Sequence, residues 1–210
     1  MQNALKILSS HGDKVWACDT EVMNIDIKSQ GPVGNGRVTC VSIYGGPEVD
    51  FGDGPGAALW IDNLDKSVGV LQVFKCWFEN PSVRKVWHNY GFDRHVMNNE
   101  GINCQGFAGD TMHMARLWDS SRQKYSLEAL TMDLLPDDFQ KTNMKELFGV
   151  PNIKKDGTEG KNISIPPIEM LQRLPETRDK FVHYSSLDAV ATWKLHTKLS
   201  NKLENTTWAQ

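Results

Sequence analysis

The chain has 210 residues, of which 40% are hydrophobic and 23% charged, as in an ordinary soluble globular protein. Its formal charge of −3 at pH 7 excludes the strongly basic balance of a dedicated nucleic-acid binder, and no apolar run approaches the roughly 18 residues of a membrane span. Four scattered cysteines form no Cys-x-x-Cys pair, which argues against a zinc site and a disulfide framework. The length and the lack of a clear boundary predict one domain, residues 1–210.

The first third of the chain predicts a short helix followed by three strands. The helix is placed at residues 3–9 and the strands at 15–18, 37–44 and 58–62. The connecting segments 30–36 and 45–56 are rich in Gly and Pro, which favour tight reversals of the chain. The opening is therefore predicted to be an antiparallel β-meander.

After the meander, strands alternate with helices. Helices are predicted at 68–79, 93–100 and 111–117, and strands at 83–88 and 107–109. Asp110 stands directly before the last of these helices, a position where aspartate is a good cap. Alternating strands and helices predict parallel strands added to the meander. The fold class is therefore α/β, with a mixed five-stranded sheet flanked by helices, the shape of a ribonuclease-H-like fold.

The last third of the chain reads as helices around one long loop. Helices are predicted at 126–132, 143–148 and 176–203. The loop, 151–167, is polar and carries Lys154, Lys155 and Lys161. Acidic residues are interleaved with these lysines, which favours a solvated loop over a surface that contacts a nucleic-acid backbone.

Four acidic residues and one tyrosine stand at informative spacings. Asp19 and Glu21 follow an apolar strand and share one of its faces, because side chains alternate along a strand. Tyr184 and Asp188 share one stripe of the final helix at positions i and i+4. Asp93 begins a helix after the fourth strand. A helix laid across the sheet brings Asp188 against the first two carboxylates, and we expect Asp93 to complete the cluster.

Clustered carboxylates repel one another unless a cation lies between them. Hard divalent ions such as Mg²⁺ or Mn²⁺ prefer oxygen ligands, and two such ions about 3.5–4 Å apart can hydrolyse a phosphodiester. Each element alone has an ordinary alternative: a surface Asp-x-Glu, a common helical Tyr-x-x-x-Asp pair, or an N-cap aspartate. Their joint order on suitable elements favours the catalytic interpretation.

The three segments resemble the Exo I, Exo II and Exo III motifs of the DEDD 3′–5′ exonucleases, in the tyrosine-bearing subgroup. This resemblance covers nearly the whole chain, from about Val15 to Leu199. Finer stretches are similar to the proofreading exonuclease domain of family A plant organellar DNA polymerases, namely Trp87-His88-Asn89, residues 110–119, residues 125–130 and residues 154–157. No polymerase portion is present, and the stretch after Leu130 looks shorter than in those polymerases.

The resemblance implies a role for each residue of the constellation. Asp19 would bridge two metal ions, Glu21 and Asp188 would help to hold the first, and Asp93 would act on the second largely through water. Tyr184 would orient the attacking water. It would not act as the base, because the reference pKa of tyrosine is about 10.

The resemblance also implies substrate contacts. The Thr20 backbone amide would meet the terminal 3′-hydroxyl, and Asn89 would donate to a phosphate or sugar. Ile25 and Phe92 match positions that pack on the terminal base or ribose, although ordinary core packing explains them equally well. His183, five residues before Asp188, should point away from the stripe that carries Tyr184 and is expected to be a bystander.

The resemblance implies a Mg²⁺- or Mn²⁺-dependent 3′–5′ exonuclease that degrades single-stranded DNA or frayed primer ends to nucleoside 5′-monophosphates for proofreading. It also implies location in the mitochondrion, the chloroplast or both, and a DNA polymerase domain as a covalent or associated partner. No targeting peptide is recognisable, and no membrane partner is expected. Two alternatives stay open: a stand-alone organellar exonuclease acting on RNA, and a catalytically silent nucleic-acid-binding scaffold.

Overall fold

The computed structural model describes residues 1–135, 139, 142–153 and 157–206. The strands are β1 (Val15–Met23), β2 (Arg37–Tyr44), β3 (Leu59–Asp62), β4 (Arg84–Trp87), β5 (Phe107–Asp110), β6 (Val150–Ile153) and β7 (Glu159–Ser164). The helices are α1 (Gln2–Ser10), α2 (Val70–Val73), α3 (Lys75–Phe78), α4 (Tyr90–Asn99), α5 (Thr111–Trp118), α6 (Leu127–Leu134), α7 (Met144–Phe148), α8 (Ile168–Arg173) and α9 (Pro175–Glu204).

Five strands form the main sheet, in the order β3-β2-β1-β4-β5. The pairs β1–β2 and β2–β3 are antiparallel, whereas β1–β4 and β4–β5 are parallel. The predicted meander and its parallel additions are therefore confirmed, and the sheet is mixed and flanked by helices as expected. Strand β1 lies at the centre, so its side chains face packed helices on both sides.

The alternation of side chains along β1 divides the molecule into two layers. Trp16 and Cys18 point into a hydrophobic core shared with Phe74, Val96 and Met97, residues of the α2–α4 region. The odd-numbered side chains of β1 point to the opposite face, where α9 crosses the sheet. Helices α5, α6, α7 and α8 pack against α9 rather than forming an independent layer. Asp19 and Glu21 are odd-numbered and therefore belong to the α9 face.

Helix α9 is 30 residues long and buries one stripe of its surface. The buried positions are Phe181, Ser185, Asp188, Ala189, Ala191, Thr192, Leu195 and Leu199. Leucines and alanines in this stripe supply apolar contact, and each fully buried leucine contributes roughly 2 kcal/mol of transfer free energy. Asp188 is the one charged residue of this stripe, so its carboxylate is held at the interface between helix and sheet. Within the part of the chain that the structure describes, no helix is both long enough and apolar enough to cross a bilayer.

Three elements differ clearly in extent from their predicted ranges. Helix α4 begins at Tyr90, three residues before its predicted start, so Asp93 lies in the first turn and does not begin the helix. Strand β1 continues to Met23 because β2 pairs with it from Ala17 onward, so Asp19 and Glu21 lie within the strand and not after it. The helix predicted at 68–79 is divided into α2 and α3, separated at Phe74, which has φ −95° and ψ 0°. The helical spacing of buried residues continues across this break, which is why the sequence suggested one helix.

The region predicted as a long loop, 151–167, contains structure. Strands β6 and β7 form an antiparallel hairpin, and α8 follows it. The hairpin is exposed on almost every residue, so its sequence lacks the alternation of buried and exposed positions that would have signalled strands. Lys161 lies on β7 and is exposed, whereas Lys154 and Lys155 lie outside the described residues.

Candidate active site

Three of the predicted carboxylates meet between β1 and α9. One oxygen each from Asp19, Glu21 and Asp188 can be chosen so that all three lie within 4.8 Å of one another. Asp188 is buried, with 6% of its surface exposed, and the other two are half-buried. The cluster therefore has one side enclosed by protein and one side that solvent reaches.

Local structure explains how the cluster forms. Asp19 and Glu21 are two residues apart on one strand and point to the same face. A β-bulge follows between Glu21 and Val22, where the register with β2 shifts. Bulges increase the local twist of a strand and often occur beside active sites, where they re-aim a side chain. The bulge therefore contributes to turning the end of β1 toward α9.

The electrostatics of the cluster favour a cation. At an effective dielectric constant of about 20, two carboxylate charges about 5 Å apart repel by roughly 3 kcal/mol. All three donors are hard oxygen ligands, the type that Mg²⁺ and Mn²⁺ take in proteins. The residues present therefore fit a divalent metal ion, and binding of such an ion would remove the repulsion.

Tyr184 stands one helical turn before Asp188 on α9 and is half-buried. Its ring packs edge-on against the buried Phe148 of α7, with the ring centroids 6.2 Å apart and the planes at 85°. Phe148 also contacts Phe181 of α9. These contacts restrict the orientation of the Tyr184 ring beside the carboxylate cluster.

Asp93 is not part of the three-carboxylate group. It lies on α4, whose buried residues pack in the core on the other face of β1. Its carboxylate accepts a hydrogen bond of 2.7 Å from the hydroxyl of Thr20, whose side chain points away from Asp19 and Glu21. Asp93 is thus not among the three carboxylates whose oxygens lie within 4.8 Å of one another, and its action on a second metal stays a prediction.

Burial dominates the ionisation of Asp93. It raises the pKa of this carboxyl to about 7, although hydrogen bonds from Thr20 partly oppose the shift, and the nearby charge of Asp110 adds to it. In the metal-free protein a carboxyl of this kind is partly protonated at neutral pH. A cation beside it would favour the ionised form, so its protonation and metal binding are expected to compete.

The predicted substrate residues lie at the ends of β1 and β4. Asn89 is exposed and adopts a left-handed backbone conformation, with φ 67° and ψ 50°. Phe92 is half-buried and packs against the core shared by β1 and α4. Ile25 is half-buried beside Gly36. The backbone amide of Thr20 interacts with Asp93, and its contact with a 3′-hydroxyl stays a prediction.

A polar cluster that attaches α9 to the sheet was not predicted. The indole N–H of Trp60 on β3 donates to the Ser185 hydroxyl at 2.9 Å, directly after Tyr184 in the chain. Arg178 donates to Asp62 at 2.9 Å and lies over the Trp60 ring. These groups fix the rotation of α9 about its axis, and hence the direction in which Tyr184 and Asp188 point. Local sequence patterns carry no signal for pairs this far apart.

The two histidines nearest the motifs are not members of the three-carboxylate group. His183 is exposed and lines a groove on the outer face of α9 with Val182 and Leu187. His88 places Nδ1 at 2.8 Å from the hydroxyl of Thr111. His183 thus points away from Tyr184 as expected.

The mixed sheet and the carboxylates gathered between its central strand and a long C-terminal helix define a nuclease-type site. A family model described as 3′–5′ exonuclease matches residues 1–204, and the chain belongs to this family. It is 51% identical over 208 residues to the mitochondrial DNA polymerase I B of Oryza sativa subsp. japonica, covering 92% of this chain and 20% of that protein. It is 46% identical over 217 residues to the chloroplastic/mitochondrial DNA polymerase I A of Arabidopsis thaliana, covering 97% of this chain and 20% of the relative.

The chain therefore spans about a fifth of the length of these curated relatives. Among solved structures, RNase D from Trypanosoma brucei matches with a TM-score of 0.62 and 14% identity, covering 94% of this chain and 61% of that one. At this identity the match concerns the fold alone. It confirms the ribonuclease-H-like architecture, whereas the family match identifies the chain as a 3′–5′ exonuclease domain and a nucleic-acid hydrolase.

Proposed function

We propose that residues 1–210 form a single proofreading exonuclease domain that removes nucleotides from single-stranded or frayed DNA 3′ ends as nucleoside 5′-monophosphates. The observation that carries this proposal is the grouping of Asp19, Glu21 and Asp188 within 4.8 Å at a partly open site. Three carboxylates from two distant elements would be costly to hold together if no cation were bound. A catalytically silent nucleic-acid-binding scaffold would not need such a cluster.

Two Mg²⁺ or Mn²⁺ ions fit the proposed chemistry. Asp19 would contact both ions, Glu21 and Asp188 would hold the first, and Asp93 would serve the second through water. When bound, the ions would lower the pKa of the attacking water and stabilise the leaving oxygen. The protein contributes mainly position and charge: β1 fixes two carboxylates and α9 fixes the third.

Tyr184 is proposed to orient the attacking water through its hydroxyl. Its place one turn before Asp188 puts it beside the carboxylate cluster, and packing against Phe148 limits its motion. Asn89 would bind a phosphate or sugar of the terminal nucleotide, and Ile25 and Phe92 would border the terminal base or ribose. The Thr20 amide would meet the 3′-hydroxyl. Stacking contacts of this kind suit a frayed single strand, since every base has an aromatic face.

The relatives support a polymerase as partner. The names of the rice and Arabidopsis proteins describe DNA polymerases of the mitochondrion and chloroplast, and this chain matches about a fifth of each. We infer that this domain works with a DNA polymerase domain, attached or associated, in one or both of these organelles. The same names favour DNA over RNA as the substrate.

A time course on oligonucleotides tests the proposal. Matched single-stranded DNA and RNA, each labelled at either the 5′ or the 3′ end, are incubated with the protein in Mg²⁺ or in EDTA. We expect 5′-labelled DNA to shorten one nucleotide at a time, 3′-labelled DNA to release labelled monophosphate at once, and EDTA to stop both. Faster loss of RNA would favour the RNA exonuclease alternative. Binding without any cleavage in Mg²⁺ or Mn²⁺ would favour the scaffold.

A further inference from the structure

Asp110 makes more hydrogen bonds than a helix cap requires. Its carboxylate is buried, with 4% of the residue exposed. It accepts from the backbone N–H groups of Met112 at 2.9 Å and His113 at 3.4 Å, which is the ordinary capping arrangement for α5. It also accepts from the N–H groups of Asn89 at 3.0 Å and Tyr90 at 2.8 Å. One carboxylate therefore joins the beginnings of two helices.

The sheet brings Asp110 to this position. Strands β4 and β5 are parallel, and Trp87 is the register partner of Asp110. The chain leaves β4 after Trp87 and enters α4 at Tyr90, so the corner between them lies beside the end of β5. Thr111 adds a second link, because its hydroxyl donates to the carbonyl of Trp87 and lies 2.8 Å from His88 Nδ1. Contacts from Asp110 and Thr111, at the start of α5, thus hold the corner between β4 and α4 in place.

The consequence concerns Asn89, the N-cap residue of α4. Asparagine at an N-cap normally uses its side chain to accept from the first helical N–H groups. Here the Asn89 side chain makes no capping hydrogen bond and is exposed, and its backbone is left-handed. A left-handed conformation costs a non-glycine residue free energy and persists only where surrounding contacts hold it. The bond from the Asn89 N–H to Asp110 is such a contact.

We propose that Asp110 is a positioning residue for the exonuclease reaction: it caps α4 in place of Asn89 and so leaves the Asn89 side-chain amide available to the 3′-terminal nucleotide. The inference rests on the proposed function, since it assumes that Asn89 meets the substrate. The negative charge suits the site, because the N-termini of both helices present unpaired N–H groups and the positive ends of their dipoles. Asp110 itself would touch neither substrate nor metal.

The variant Asp110→Ser separates the capping of α5 from the capping of α4. Serine is a good N-cap and keeps the local bonds of α5, but its shorter side chain does not reach Asn89 and Tyr90. With single-stranded DNA as substrate, we expect Asp110→Ser to raise KM about tenfold, the size of losing one hydrogen bond to a charged group. We expect Asn89→Ala to raise KM to a similar extent. In the double variant the rise should be no greater than in the larger single variant, because both changes remove the same contact.

The control is Ser126→Ala, which removes the side-chain cap of α6, where Ser126 accepts from Ala129 N–H. It should lower Tm without raising KM. If Asp110→Ser does not fold, Asp110→Thr, whose side chain is also a good N-cap and is equally short, replaces it in the same cycle. Two results would overturn the proposal. One is a double variant whose rise in KM equals the product of the rises caused by Asp110→Ser and Asn89→Ala, and the other is an unchanged KM in a folded Asp110 variant. Failure of the wild-type chain to degrade DNA or RNA would instead reject the proposed function.

Discussion

The two halves of the site are built differently. On the α9 side, Asp19, Glu21 and Asp188 already face one another, and polar contacts between β3 and α9 hold the helix in place. On the α4 side, Asp93 is buried against Thr20, with its pKa raised, and lies outside the cluster. In the free protein the first half thus already brings together three carboxylates that could hold a cation. We expect the second half to reach its active arrangement only after metal or substrate binds.

The largest effect should follow removal of a carboxylate from the organised half. Asp188→Asn is expected to lower kcat by about a thousandfold or more, since the rate depends on charge stabilisation at this point. Asp179→Asn, an exposed aspartate on the same helix, is the matched control and should keep wild-type turnover. Single-turnover release of the 3′ nucleotide measures both. Similar rates in the two variants would mean that Asp188 is not part of the catalytic site.

Removing one charge from the organised half should also affect stability. Asp19→Ala is expected to raise the melting temperature of the metal-free protein, because it relieves repulsion within the cluster. Added Mg²⁺ should stabilise the wild type and give the variant much less protection. Thermal unfolding with EDTA and with Mg²⁺ measures both effects. A large loss of Tm in EDTA would show that Asp19 has a structural role instead.

Tyr184→Phe should have an intermediate effect. Loss of the hydroxyl removes the group proposed to orient the attacking water, and we expect kcat to fall about ten- to a hundredfold. The ring and its packing against Phe148 are kept, so Mn²⁺ affinity should equal that of the wild type. Calorimetric titration alongside the rate measurement separates the two properties. An equal loss of rate and affinity would contradict the orienting role.

The other half of the site gives a stability prediction that depends on pH. The folded-state pKa of Asp93 is raised to about 7, so between about pH 4 and pH 7 the native protein binds more protons than the unfolded chain. This carboxyl therefore makes the metal-free protein less stable as pH rises through that window. Asp93→Asn should remove this loss and raise the free energy of unfolding at pH 8 by roughly 4 kcal/mol.

Denaturant unfolding of wild type and Asp93→Asn at pH 5 and pH 8, in EDTA, measures the difference. The gain from the substitution should be much larger at pH 8 than at pH 5. Exonuclease activity in Mg²⁺ should fall in the same variant. A gain that does not depend on pH would show that the raised pKa of Asp93 is not its source.

The smallest effect should come from the contact that orients α9. Trp60→Phe and Ser185→Ala each remove the indole–hydroxyl bond, and each should lower kcat about threefold, with no further loss in the double variant. Trp77→Phe is the matched control, because the buried Trp77 indole N–H has no hydrogen-bond partner among the residues that the structure describes. It should leave kcat unchanged. Independent effects of the two substitutions would contradict coupling through this bond.

The sequence predicts best the features that depend on short-range spacing. Asp19 with Glu21 follows from the two-residue repeat of a strand, and Tyr184 with Asp188 follows from the helical repeat. The position of Asp93 relative to them depends on which face of β1 receives α4, a tertiary property that no local pattern encodes. The bond between Trp60 and Ser185 spans 125 residues and leaves no local signature.

The hydrogen bonds of Asp110 divide in the same way into those that the local sequence predicts and those that it does not. Its bonds to Met112 and His113 were predictable, because an aspartate before an apolar helix is a local capping signal. Its bonds to Asn89 and Tyr90 depend on the parallel pairing of β4 and β5, which brings the start of α5 beside the start of α4. The exposed hairpin β6–β7 escaped prediction for another reason, since neither of its faces is buried.

Mn²⁺ binding in the absence of substrate tests most directly whether Asp19, Glu21 and Asp188 form one metal site. Calorimetric titrations of the wild type, Asp188→Asn and Asp179→Asn would be compared at equal pH and ionic strength. We predict equal affinity for the wild type and Asp179→Asn, and at least about a tenfold weaker affinity for Asp188→Asn. Equal Mn²⁺ affinity in all three proteins would contradict the account.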